Sequence, residues 1–110
     1  MTAPRRIEKI NMLLKEVLAG IIDREVEFPQ GSLVTLTRVS VSSDGRYASA
    51  FFSAFGVSQD AMLELLKKNM YTIQQLINKK LRMRPVPQIH FALDEDEMRR
   101  EGVEKAVSHV

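Results

Sequence analysis

The chain has 110 residues, 45% of them hydrophobic and 27% charged, which is the size and balance of one globular domain. It has no cysteine, which excludes disulfide scaffolds, thiolate catalysis, cysteine-ligated zinc and iron–sulfur clusters. The net charge of +2 hides an asymmetry: residues 1–93 carry 13 basic and 8 acidic residues, whereas residues 94–110 carry 3 and 6, so a body suited to a polyanion ends in an acidic segment.

The basic start, Met1-Thr2-Ala3-Pro4-Arg5-Arg6, runs into charged sequence and not into an apolar block, so it is not read as a signal peptide. No apolar run approaches the roughly 20 residues that cross a bilayer. With cysteine absent, the cytoplasm is the expected compartment. Residues 4–27 predict an amphipathic helix, with Ile7, Ile10, Leu14, Val17, Leu18 and Ile21 on one face and Pro4 in the first turn. Phe28-Pro29-Gln30-Gly31 ends it. Residues 33–42 are rich in β-branched side chains and partly alternate, which predicts a strand. Ser43-Asp44-Gly45-Arg46 is a hairpin signal, and residues 47–55 form the returning strand.

Ser58 is placed to cap a helical pattern that runs to about Met83 through Leu65, Leu66, Met70, Ile73, Leu76, Ile77 and Leu81. Some 25 residues is long for a globular helix, and the weaker helix formers around Asn69-Met70-Tyr71-Thr72 predict a break there. Pro85 and Pro87 forbid continuation. Residues 88–93 alternate, with Ile89, Phe91 and Leu93 on one side, as a third strand. Residues 94–108 open on Asp-Glu-Asp-Glu, a favourable helix start, and predict a peripheral terminal helix. The order is α-β-β-α-α-β plus that helix: an α+β domain of two layers, with helices on one face of a three-stranded sheet.

That order, with these residues, resembles the bacterial ribosome-binding factor A family, which has a type II KH-like fold. The resemblance covers about residues 5–97 and rests on Arg6-Ile7, on Arg24-Glu25-Val26 with Pro29, and on Ser42, Asp44 and Ala48 in the hairpin. Its strongest block is Leu81-Arg82-Met83-Arg84 followed by Pro87-Gln88-Ile89-His90-Phe91 and Asp94. It implies a domain over 1–97 with a C-terminal helical tail over 98–110. It also implies a non-enzymatic, monomeric factor without cofactor or metal. Such a factor assists late maturation of the small (30S) ribosomal subunit, above all in the cold, by binding 16S ribosomal RNA near the 5′ end and the neck. KH domains usually clamp nucleotides with a Gly-x-x-Gly loop, which this sequence lacks. The family's replacement, an Ala-x-Gly kink, aligns with Asn69-Met70-Tyr71, where neither the alanine nor the glycine occurs. That leaves a milder bend, or a break made by Asn69.

Between residues 67 and 84 lie Lys67, Lys68, Lys79, Lys80, Arg82 and Arg84, with no acid among them. On a continuous helix Lys68, Lys79 and Arg82 share about one quadrant, which would make a phosphate-contacting ridge. The bland alternative is a solvated helix face. Arg5, Arg6 and Lys9 form a second cluster that either contacts phosphates or is simply exposed. Arg38, mid-strand, must face solvent or a partner, and Arg46 beside the turn reads as ordinary surface.

Tyr47, Phe51, Phe52 and Phe55 could offer a stacking sheet face, but the alternation sends some of these rings into the core. His90 and His109 are isolated and make no metal or catalytic set, and the consecutive acids from Asp94 to Glu97 do not have calcium-loop spacing. No nucleophile elbow, phosphate-binding loop or dinucleotide fingerprint occurs. The rival readings are a general single-strand RNA-binding KH module and a protein–protein adaptor using the basic helix against an acidic partner.

Overall fold

A computed structural model of the chain describes residues 3–97. The first helix, α1, spans Ala3–Glu25 and buries Leu14, Leu18, Ile21 and Ile22. The chain leaves it through Val26, which is buried and donates its N–H to the Ile22 carbonyl. Strand β1 (Leu33–Val41) pairs antiparallel with β2 (Tyr47–Phe55), and β2 pairs in parallel with β3 (Gln88–Leu93), so the sheet order is β1-β2-β3.

The partial alternation of β1 has a structural cause. Val34 and Leu36 face the core at even positions, whereas the buried Val39 and Val41 are odd. A period of two cannot bury both pairs unless one residue is looped out. The register does shift there: Leu36 lies opposite Phe52 and Arg38 opposite Phe51, so Thr37 is the extra residue. On β2 the core face is Ala48, Ala50 and Phe52, and the parallel register sets Ile89, Phe91 and Leu93 beside them. The hairpin closes through Ser42 N–H to the Tyr47 carbonyl (2.8 Å), with Gly45 at φ 75° as the residue that needs the left-handed region.

The long helical pattern folds as two helices. α2 runs Gln59–Lys68, capped by Ser58, whose Oγ accepts the Ala61 N–H at 3.1 Å. α3 runs Met70–Lys80. Asn69 alone separates them, at φ −98° and ψ 6°, and its side-chain amide donates to the Leu65 carbonyl at 2.8 Å. The expected extension to Met83 does not form, because α3 stops at Lys80 and Leu81 is extended. The prolines explain this. In a continuing helix the carbonyls of residues 81 and 83 would accept from the N–H groups of residues 85 and 87, which proline lacks. Arg84 supplies those two carbonyls instead, Nη1 lying 3.4 Å from Leu81 O and 2.9 Å from Met83 O.

All three helices pack on one face of the sheet around Phe52, Met62, Leu66, Ile73, Ile77 and Ile89, each burial worth about 1.5–3 kcal/mol. Gln74 on α3 clamps the entry to β3: its Nε2 donates to Pro87 O (3.0 Å) and its Oε1 accepts the Ile89 N–H (3.0 Å). At the end of β3, Asp94 donates its N–H to Phe52 O and accepts the Glu97 N–H on Oδ1. It thereby caps a helical turn at residues 95–97. The remainder of the terminal helix expected over 94–108, and the tail over 98–110, lie outside the described residues.

Candidate nucleic-acid interface

Lys67, Lys68, Lys79, Lys80, Arg82 and Arg84 are all exposed, and none is ion-paired among the described residues. They do not form one ridge. Arg82 lies beyond the end of α3, and Asn69 interrupts the helical phase between Lys68 and Lys79. The structure instead makes two groups. Lys67 and Lys68 occupy the last turn of α2, and Tyr71, 76% exposed, follows in the first turn of α3. Lys79 and Lys80 end α3, about 15 Å from its first residue by the helical rise, with Arg82 and Arg84 just past them. Cations in a last helical turn also favour the helix dipole, so part of their placement serves the fold.

The second group is joined by the head of α1. Arg5, Arg6 and Lys9 are exposed, and Arg6 lines the same cleft as Arg84. The cleft lies between α1, the hairpin and the segment Met83–Pro85, where the Arg84–Pro85 peptide is cis. Sequence reading treats these two basic clusters as independent; their convergence comes from the packing of α1 against α3.

Arg38 has a different setting. The bulge turns it onto the outer sheet face, where its guanidinium stacks 3.8 Å above the Phe51 ring. Its Nε lies 3.7 Å from Asp94 Oδ2, and that oxygen also accepts from Thr37 Oγ1. Its charge is compensated within the fold. Of the aromatic residues, Phe52 is core, whereas Tyr47 and Phe51 are on the outer face, with Tyr47 tilted against His90 at 5.7 Å. Among the described residues no three His, Cys, Asp or Glu side chains gather to hold a metal ion, and no helix is long and apolar enough to cross a membrane.

Helices on one face of a mixed three-stranded sheet, with a helix pair broken at a single residue, define a type II KH-like α+β domain. Comparison with known proteins narrows the class. A family model described as ribosome-binding factor A matches residues 6–107. A ribosome-binding factor A of Thermomicrobium roseum is 37% identical over 91 residues, covering 81% of this chain and 70% of that protein. One of Protochlamydia amoebophila is 38% identical over 96 residues, covering 84% and 73%. The crystal structure of ribosome-binding factor A from Thermus thermophilus superposes with a TM-score of 0.68 at 24% identity, over 79% of this chain and 93% of that one. A Thermus thermophilus ribosome-binding factor A fitted into the map of a 30S complex gives 0.63 at 29% identity, over 74% and 88%. The chain belongs to the ribosome-binding factor A family.

Proposed function

We infer that the chain binds the small ribosomal subunit through its 16S ribosomal RNA and assists late subunit maturation. It acts as a cytoplasmic monomer without cofactor, with residues 1–97 as the binding domain and 98–110 as an appendage. The observation that carries this is the run of six exposed cations from Lys67 to Arg84 without an acid partner among the described residues. Surface of that kind is stabilised by phosphates, each of which releases counterions when neutralised. The relative fitted into a 30S complex supports the same partner.

Membership of a ribosome-binding family supports binding rather than catalysis. Contact near the 5′ end and neck of the RNA, and greatest need in the cold, are the finer parts of the reading. Arg5, Arg6 and Lys9 extend the surface on the α1 side, and Arg38, half-exposed beside Asp94, adds a partly compensated charge. A general single-strand KH module is less well supported, because a single asparagine joins α2 to α3 where such modules have a glycine loop.

Gradient sedimentation tests the reading. The chain is expected in the small-subunit fractions at low salt and free at high salt, and reversing Lys79, Lys80 and Arg82 should release it. Equal affinity for unstructured oligonucleotides would instead favour the general module.

A further inference from the structure

The cleft at the head of α1 has a volume of about 320 Å³. That is at the small end of ligand sites, which run from roughly 300 to 1,000 Å³. Its lining is chemically divided. Ile7 and Ile10 of α1, Val41 at the end of β1, Met83 and Pro85 give it an apolar floor. Arg6 and Arg84, both exposed, bring two guanidinium groups from different elements. The hairpin brings the Ser43 hydroxyl and the Asp44 carboxylate.

Asp44 is only half occupied. Ser42 Oγ (2.6 Å) and the Arg46 N–H (3.1 Å) both donate to Oδ1, which leaves Oδ2 for a ligand. The same bonds, that from Ser42 foremost, hold the carboxyl below its ordinary pKa, so it is an anion at neutral pH. A purely anionic ligand would be repelled by Asp44, and a cationic one by the arginines. A nucleotide satisfies both: a flat base with apolar faces, neutral N–H donors on its edge and a phosphate at its other end.

We propose that this cleft is a subsite for one unstacked ribonucleotide, its base on the apolar floor, its phosphate on Arg6 and Arg84, and its exocyclic amino group on Asp44 Oδ2. The subsite rests on the RNA-binding reading and adds to it a base preference: cytosine, adenine or guanine over uracil, which has no amino group to donate. A single hydrogen bond to a solvent-exposed carboxylate discriminates by at most about tenfold.

The experiment is a titration of the isotope-labelled full chain with 5′-CMP, 5′-UMP and inorganic phosphate, followed by amide chemical shifts. CMP is expected to move the amides of Ser42–Gly45, Ile7 and Arg84, with a dissociation constant below that of UMP by up to about tenfold. Arg6→Ala should weaken both nucleotides, and Asp44→Asn should remove the difference between them. The variant K79Q/K80Q/R82Q should lose small-subunit binding yet keep the CMP response, which separates this subsite from the wider basic surface.

Loss of subunit binding by the parent chain with the CMP response intact would sink the ribosomal reading and leave the nucleotide site standing. An equal response to inorganic phosphate, shifts spread over Lys67–Lys80 instead of the cleft, or a stronger response to a Glu-rich peptide would each overturn the subsite, even in a chain that sediments with subunits.

Discussion

Neutralising Lys79, Lys80 and Arg82 together (K79Q/K80Q/R82Q) gives a quantitative test of the basic surface. The three side chains are exposed and make no ion pair among the described residues, so their loss leaves no buried charge. Lys79 and Lys80 favour the α3 dipole by about 0.3–1 kcal/mol each, a cost a folded domain tolerates. If all six cations from Lys67 to Arg84 neutralise phosphates, the logarithm of the association constant should fall against log salt with a slope of about −4 to −5. From about 50 to 200 mM salt the parent then loses several hundred- to about a thousandfold in affinity. With three contacts left, the slope should be about −2 to −3 and the loss only about twenty- to fortyfold. Fluorescence anisotropy of the labelled chain with purified small subunits, repeated across that salt range, measures both slopes. A parent slope shallower than about −2, or a variant slope equal to the parent's, refutes phosphate contact by this segment.

Asp94→Ala should destabilise the domain by about 2–4 kcal/mol in urea melts, since it removes an accepted Thr37 hydroxyl and the cap on the Glu97 N–H. Arg38 adds little to that sum, because its side chain is 56% exposed; a loss below about 1 kcal/mol would show that Asp94 is not a structural anchor. Gly56→Ala should cost more than Gly45→Ala. Both glycines sit at φ 75°, which costs an alanine about 1–2 kcal/mol, but at Gly56 the new Cβ would also lie 2.6 Å from the Gly31 carbonyl oxygen, whereas Gly45 faces open space. Equal melting temperatures for the two variants would contradict this.

Asp44 should titrate below its ordinary 3.8, because Ser42 and the Arg46 N–H stabilise the anion. A depressed folded pKa stabilises the hairpin above the unfolded value and is lost as pH falls through the folded one. The Arg46 amide resonance should therefore move only below about pH 4, and Asp44→Asn should abolish that transition.

How much of this was legible in the sequence depends on how far apart the interacting residues are. Period and punctuation place every strand to within a residue or so, and Ser58 and Gly45 announce a cap and a turn through chemistry confined to four consecutive residues. The partial alternation of β1 was visible, but that its core residues are 34 and 36 and then 39 and 41, with one position looped out between them, is decided by the fold. What the pattern could not convey is contact between elements. Helical periodicity carries Leu81 into the long helix. The prolines at 85 and 87 announce a stop, but nothing local shows that Arg84 takes over the carbonyls of residues 81 and 83.

Gln74 is an unremarkable polar residue on an amphipathic helix until β3 lies beside it. The same limit governs the charges. In a composition count Arg38 and Arg84 weigh alike. The bulge turns Arg38 onto Phe51 and Asp94, while the end of α3 leaves Arg84 at the mouth of a cleft with Arg6. Charge along the chain suggests a polyanion, but only the fold decides which cations are still available to meet it.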